Sequence, residues 1–406
     1  MNRISKLAVA VLFSSQLFLS PGISMGQTVH QNPKGAPIGT MLWFPSLELS
    51  YRTDDNIYAL QDGKKSDNIT GVKAGVSASS DWNNHAFNFD VSGETASYSK
   101  STKENYTDVN LKLGGRIDIV EKVNITANVG SSRMHEDRGS PNDLNGSEPA
   151  RYNLGSADIG FNHEVSSVRL NLSMKSEVYA YDDTPTSGEN KVDQKGRERT
   201  QSVASAKVSY VIPDLVSAFV QGKFNGRDYK NKDKDKYTYD RSSSGYEITL
   251  GVDKEFSDVS KLMVALGQRT QVYKDADLPD ISGPQVEVNY NWTPSDFTSF
   301  NLYVNRSIEE TVIEGSPGFF STGYGFSYDQ EFGNDFLFKL GYNGSDMSYK
   351  GIKRTDKTSD AKVTLSWYVN DYLYAGLSYN YKDRKSDQKG NDYKRGIAAL
   401  MVGGRI

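Results

Sequence analysis

The stretch Val168–Lys175 reads Val-Arg-Leu-Asn-Leu-Ser-Met-Lys, so apolar and polar side chains take turns along it. Side chains of a β-strand point alternately to the two faces of a sheet, so this period of two predicts a strand with one apolar and one polar face. The same alternation recurs from Leu47 to Ile406, and no helical period competes with it. The sequence therefore predicts an all-β protein.

Segments with this alternation number about 18, within a range of 16–20. Their centres lie at Leu49, Ala74, Phe89, Leu113, Ala127, Ala157, Leu172, Ala206, Ala218, Leu250, Val264, Val288, Leu302, Phe326, Leu340, Leu365, Leu377 and Leu400. An even number is what single-chain bacterial outer-membrane barrels have.

The connections between these segments sort by length. Short ones, such as Val120–Lys122 and Asn370–Asp371, take turns with long polar ones: 53–68, 133–151, 181–198, 228–243, 307–319, 347–358 and 384–393. Outer-membrane barrels have short periplasmic turns and long outer loops. We therefore predict a transmembrane up-and-down antiparallel β-barrel of about 18 strands.

The composition excludes several classes of protein. The 406 residues contain no cysteine and four histidines, which excludes disulfide scaffolds, cysteine-ligated metals and thiol catalysis. The formal net charge of −4 gives no reason to expect nucleic acid as a partner. Hydrophobic residues make up 36 % and mean hydropathy is −0.60, while tyrosine and glycine are abundant. Such a composition suits a barrel with a wet interior.

The N-terminus has the pattern of a secretory signal. Arg3 and Lys6 precede an apolar run from Leu7 to Leu19, and small residues follow at Ser24 and Gly26. We predict a cleaved signal peptide at 1–26, an extended lead-in at 27–45 and the barrel at 46–406, exported to the bacterial outer membrane.

The alternating polar positions of each strand predict which side chains line the lumen. A water-filled bore, or ion pairs across it, would make charges tolerable there. The candidate lumen-lining residues are Lys112, Arg116, Arg169, Lys175, Lys207, Lys223, Arg227, Tyr303, Tyr368 and Tyr374. The charged ones can hydrogen-bond a sugar chain or form a solvated wall, and the tyrosine rings could guide sugar rings. Two long loops, 133–151 and 181–198, are candidates for a constriction inside the barrel.

The sequence gives little support for a catalytic site or a metal site. His135-Glu136-Asp137-Arg138 with Ser131 nearby is the densest polar cluster, but no nucleophile motif flanks it. Carboxylates at 54–55, 182–183 and at 233 and 235 lack the ligand spacing of a calcium-binding loop. We therefore predict no catalytic residue, no metal site, no cofactor and no enzymatic activity.

Three motifs resemble those of a known family. They are Thr53-Asp54-Asp55-Asn56-Ile57, His135 to Pro141 (HEDRGSP), and Tyr381 to Asp387 (YKDRKSD) followed by Tyr393. Together they resemble the outer-membrane β-barrel porin family associated with exopolysaccharide biosynthesis and export clusters of Gram-negative bacteria, over about 45–406. In our topology the motifs lie near the outer ends of strands. There Arg138 and Arg384 could pair with Asp54, Asp137 or Asp383 and fix the loop bases.

The resemblance implies a channel that passes a secreted exopolysaccharide and works with a periplasmic polysaccharide-export protein. Outer-membrane lipid and the barrel-assembly machinery would be its other partners. Two alternatives stay open. One is a general diffusion porin for small hydrophilic solutes, and the other is a structural or adhesive surface barrel.

Overall fold

The structure is a computed structural model that describes residues 33–144, 146–186, 191–213, 215–232, 238–333 and 335–406.

Its strands are β1 Ala36–Ile38, β2 Met41–Asp54, β3 Asp67–Ser80, β4 Ala86–Tyr98, β5 Tyr106–Val120, β6 Val123–His135, β7 Arg151–Val165, β8 Val168–Tyr181, β9 Thr184–Pro185, β10 Lys191–Val192, β11 Arg199–Ile212, β12 Val216–Tyr229, β13 Ser243–Ser257, β14 Ser260–Tyr273, β15 Ile281–Ser295, β16 Thr298–Glu310, β17 Gly318–Phe332, β18 Phe336–Tyr349, β19 Thr355–Tyr368, β20 Leu373–Ser386 and β21 Tyr393–Arg405.

The long strands form one closed sheet. Each pairs antiparallel with the next, β8 pairs with β11, and β21 pairs with β2 to close the ring. The sheet has 19 strands, of which the short β1 only extends the end of β2, so 18 form the barrel. The predicted fold and strand number are confirmed, and all the predicted centres lie within these strands.

Closure has a physical reason. A sheet edge in hydrocarbon would leave backbone amides and carbonyls without partners, and a closed barrel has no edge. In the part of the chain that the structure describes, no helix is long and apolar enough to cross a membrane.

The alternation of side chains separates two faces on every strand. On β13 the apolar Ile248 and Leu250 are 57 % and 66 % exposed, whereas Glu247 and Thr249 between them are 3 % and 2 % exposed. The exposed apolar side chains face outward, where lipid covers them, and the polar ones face inward.

Connections at one end of the barrel are short, as at 121–122, 166–167 and 258–259, and β2 begins and β21 ends at that end. The other end carries 55–66, 99–105, 136–150, 182–198, 230–242, 274–280, 311–317, 350–354 and 387–392. The predicted set of long loops did not include 99–105 and 274–280. Trp292 and Trp367 are exposed beside the short turns, where an interfacial aromatic girdle is expected.

Two sequence predictions fall partly outside this description. The predicted signal peptide at 1–26 and the first residues of the lead-in lie outside the described residues, as do Asp233 and Asp235. Strand β2 begins at Met41, inside the predicted lead-in of 27–45.

Candidate passage through the barrel

Contacts between strands that are not neighbours show which face is the inner one. Lys207 on β11 forms an ion pair with Asp253 on β13, with Nζ and Oδ2 3.1 Å apart. Arg227 on β12 donates to the carbonyl of Ile308 on β16 at 2.8 Å. Only the concave side of a barrel brings such strands together, so the face opposite the exposed apolar side chains lines the interior.

The predicted lumen-lining cations all lie on this inner face, and most are paired. The pairs are Arg116–Asp118, Arg169–Glu164, Lys175–Glu177, Lys207–Asp253, Lys223–Glu247 and Arg227–Glu310. Lys112 on β5 is exposed to the interior. The wall therefore offers many polar groups while its charges largely compensate one another.

The three predicted lumen tyrosines lie on the inner face in two separate places. Tyr368 and Tyr374 face each other next to a short turn, with ring centroids 5.8 Å apart, and the Tyr374 hydroxyl donates to Glu48 at 2.7 Å. Tyr303 lies in the middle of β16 and donates to Asn343 at 2.9 Å. Strands β16 and β19 are three positions apart, about 14 Å at sheet spacing. The rings therefore do not form one continuous row.

The loop 136–150 runs over the barrel interior. It leaves β6 at Asp137, whose carboxylate lies 3.2 Å from Arg395 on β21 and 3.5 Å from Lys382 on β20. Strands β2 to β5 separate β6 from β21 along the wall, so this contact crosses the lumen. Farther along the loop, Asn142 accepts a hydrogen bond from the amide of Val312, beyond β16, at 3.2 Å. The loop thus reaches from one wall to another.

Ion pairs with largely buried arginines fix this loop at its base. Arg395 lies between two carboxylates, with Nη2 2.6 Å from Asp54 and Nη1 3.2 Å from Asp137. Arg138 is held by Glu104, with bonds of 2.6 and 2.8 Å, and both side chains are buried. We call the set Asp54, Asp137, Arg395 and Lys382 the loop latch.

The predicted pairs of Arg138 and Arg384 with Asp54, Asp137 or Asp383 do not form among the described residues. Arg138 pairs with Glu104 rather than with Asp54, Asp137 or Asp383. Arg384 donates to the carbonyls of Gly139 and Asn391 at 3.3 and 2.6 Å instead of to a carboxylate. Asp383 lies on the outer parity of β20, opposite Lys394.

The alternation of side chains along a strand could not predict these partners, because the path of each loop decides which groups meet. The sequence analysis missed Arg395 and Glu104. Arg395 could have been found from its position among the inward-facing residues of β21. Nothing in the sequence pointed to Glu104.

The latch keeps its loop carboxylate ionised. Burial alone would raise the pKa of Asp137, but Lys382 and Arg395 outweigh it and hold that pKa far below its usual range. Burial alone would likewise lower the pKa of Arg138, yet Glu104 raises it above its usual value. Both groups therefore carry full charges around neutral pH.

A second long loop, 182–198, packs against the first. Arg197 binds Glu136 with Nη1 2.9 Å from the carboxylate, and the amide of Ser147 donates to the carbonyl of Pro185 at 2.8 Å. These are the two loops that the sequence analysis names as constriction candidates. Between them and the wall lies a cavity of about 200 Å³, lined among others by Tyr181, Arg197, Arg199, Tyr229, Arg241 and Glu310.

The polar cluster around His135 serves structure in this fold. The His135 ring stacks on Tyr106 with centroids 3.7 Å apart, and its Nδ1 lies 2.9 Å from Asp108. Ser131 lies four residues before His135 on β6, about 13 Å along the strand. Among the described residues there is no group of three or more acidic, histidine or cysteine side chains placed to hold a metal ion.

A closed barrel of this size, with apolar residues outside, polar residues inside and long loops folded over its interior, is a porin-like channel of the bacterial outer membrane. Residues 31–405 match the model of the family described as Putative beta-barrel porin 2. The chain belongs to this family.

Solved structures that resemble the chain are outer-membrane proteins. Pseudomonas aeruginosa OccK2 (OpdF) has 9 % identity and a TM-score of 0.45, and the match covers 90 % of this chain and 97 % of that one. Acinetobacter baumannii OccAB2 has 10 % identity and a TM-score of 0.46, covering 92 % and 99 %. No curated protein matches the sequence.

Proposed function

We propose that the barrel passes a secreted exopolysaccharide across the outer membrane by passive diffusion. The observation that carries this proposal is an inner wall whose cations are mostly paired with carboxylates, as in Lys207–Asp253 and Lys223–Glu247. Such a wall offers hydrogen bonds to hydroxyl groups at many points without a strong charge to trap a chain. A polymer can then move through many weak contacts.

The end with the short turns is the entrance in this proposal. Tyr368 and Tyr374 lie there, and the planar face of a tyrosine ring packs well against the apolar face of a sugar. The periplasmic polysaccharide-export protein would deliver the polymer to this end. The outer-membrane lipid surrounds the apolar face, and the barrel-assembly machinery would insert the chain after removal of its signal peptide.

A second candidate is a diffusion porin for small hydrophilic solutes. The specific observation in its favour is the pair of loops 136–150 and 182–198, which fold over the interior and narrow it. A narrowed passage suits small solutes, whereas a polymer must thread it as an extended chain.

Loss of the gene separates the two candidates. A deletion strain should lose extracellular polymer, recover it with the full-length gene, and take up small sugars at the normal rate. Normal polymer secretion together with impaired uptake of small sugars would refute the export proposal.

Purified barrels in planar bilayers add a residue-level test. Polymer added at the short-turn side should interrupt the ion current, and the double substitution Tyr368→Ala with Tyr374→Ala should shorten these interruptions. Tyr381→Ala is the matched control, because this ring lies on the outer face. A steady current that polymer never interrupts would contradict the proposal.

A further inference from the structure

The cavity between the two folded loops and the wall contains Arg199, which forms an ion pair with no carboxylate of the described chain. We propose that Arg199 and its neighbours bind the carboxylate of an acidic sugar, so that the passage selects anionic saccharides. This inference rests on the proposed function and names its substrate class.

Arg199 stands at the start of β11 with its side chain directed inward. Its Nη1 donates to the carbonyl of Arg197 at 3.2 Å, and its guanidinium lies 4.1 Å from the centre of the Tyr179 ring. Its Nε is buried and has no hydrogen-bond partner among the described residues. No carboxylate of the described chain forms an ion pair with it.

The nearby acidic group is already engaged. Glu310, which acts electrostatically on Arg199, accepts bonds from Arg227 and from the Tyr229 hydroxyl. An enclosed cation without a counter-charge is costly for a protein to keep. Stacking on Tyr179 offsets part of this cost but leaves the Nε donor unused. An anion entering the cavity would supply the missing counter-charge.

The other two arginines of the lining are held in different ways. Arg197 is paired with Glu136, whereas Arg241 donates to the carbonyls of Ile313 and Ser316 within the described chain. The lining has three arginines, at 197, 199 and 241, and two carboxylates, Asp193 and Glu310, while Glu136 just outside it neutralises Arg197. A planar guanidinium matches a carboxylate with two parallel hydrogen bonds, which a neutral hydroxyl cannot reproduce.

Aromatic groups and volume point to a sugar as the carrier of that carboxylate. Tyr181, Tyr229 and Tyr239 line the same cavity. The volume of about 200 Å³ equals roughly six or seven water molecules, which is room for a single ring and not for a larger ligand. One acidic sugar residue at a time would therefore occupy the site.

The test uses the full barrel in planar bilayers with two trisaccharides of equal length, the acidic trigalacturonate and the neutral maltotriose. In the wild type we expect trigalacturonate to block the current at concentrations at least about tenfold lower than maltotriose. The reason is that one hydrogen bond to a charged group raises affinity by more than a factor of about ten. Arg199→Gln should abolish this preference, and Arg199→Lys should restore only part of it.

Arg133→Gln is the matched control. Arg133 pairs with Asp182 at 2.6 Å, is about half exposed, and does not line the cavity. If Arg199→Gln does not yield open channels, Arg241→Gln carries the same expectation. Equal blocking by the two trisaccharides in the wild type, or an unchanged preference in the Arg199→Gln channel, would overturn the inference.

The outcomes separate this inference from the proposed function. Charge-dependent blocking that needs Arg199, combined with normal polymer secretion in the deletion strain, supports the site and refutes the polymer as its cargo. Loss of secretion combined with charge-independent blocking refutes the site alone. Comparing monomeric galacturonate with long polygalacturonate tells whether a free acid or a polymer residue is the better occupant.

Discussion

Replacing Arg395 by glutamine tests whether buried ion pairs hold the loop 136–150 across the barrel. Arg395 is 6 % exposed and is bonded to Asp54, which is fully buried, and to Asp137 of the loop. The substitution keeps the hydrogen-bonding character of the side chain and removes its charge. We expect a less stable barrel and a more mobile loop.

The magnitude follows from what remains after the change. Asp137 keeps Lys382 at 3.5 Å, so most of the cost falls on Asp54, which loses the cation at 2.6 Å. Removing one member of a buried ion pair costs about 3–5 kcal/mol. Because the glutamine amide can still donate to Asp54, we expect the low end, about 3 kcal/mol, in the free energy of unfolding.

The assay has two readings, urea unfolding of barrels in lipid vesicles and single-channel current in planar bilayers. The current should rise and become noisier, since a freed loop obstructs the lumen less. Arg133→Gln breaks an exposed pair and should cost about 0–1 kcal/mol without changing the current.

A double variant sharpens the result. Asp54→Asn added to Arg395→Gln removes the unpaired carboxylate charge. The double variant should therefore lose less free energy of unfolding than the two single variants lose together. Equal stability losses for Arg395→Gln and the exposed control, with unchanged current in both, would refute the latch.

Other substitutions test the loop, the lipid face and the ionised latch. Deleting 139–144 should increase the conductance, and an unchanged value would show that this loop does not narrow the lumen. Leu250→Lys places a charge in lipid and should lower the free energy of unfolding by about 2–4 kcal/mol. Asn171→Lys on the inner face of β8 should lower it far less, and equal losses would contradict the assignment of faces. The pKa of Asp137 is lowered, so its stabilisation is complete above the ordinary aspartate value of about 4 and is lost only below it. The conductance difference between wild type and the 139–144 deletion should therefore stay constant from about pH 8 to pH 5.

The barrel could be predicted from the sequence because lipid and water impose opposite demands on adjacent residues. Segments such as 246–252 alternate without interruption, and each predicted segment became a barrel strand. The same alternation placed the charged candidates, including Lys207 and Arg227, on the inner face. A period of two is a local property, so it survives without knowledge of the neighbouring strands.

The partners inside the barrel were beyond such reasoning. Parity directs Asp54 inward but cannot tell that Arg395, distant in sequence and adjacent in the closed ring, will reach it. Glu104 was missed because 99–105 was not predicted as one of the long loops. Contacts of this kind depend on barrel closure and on the path of each loop, and neither leaves a periodic trace in the sequence.

The latch and the cavity lie on different sides of the barrel, and this arrangement explains where the passage should be. Asp54, Lys382 and Arg395 belong to three adjacent strands, β2, β20 and β21, whereas Arg199 belongs to β11 on the other side of the ring. The loop 136–150 is tied to the first side through Asp137, and its Asn142 and Leu144 line the cavity on the second side. In our proposal, a solute that passes between the loops and the wall would meet Arg199 there. In our proposal the loop 136–150 therefore both narrows the lumen and forms one side of the arginine-lined cavity.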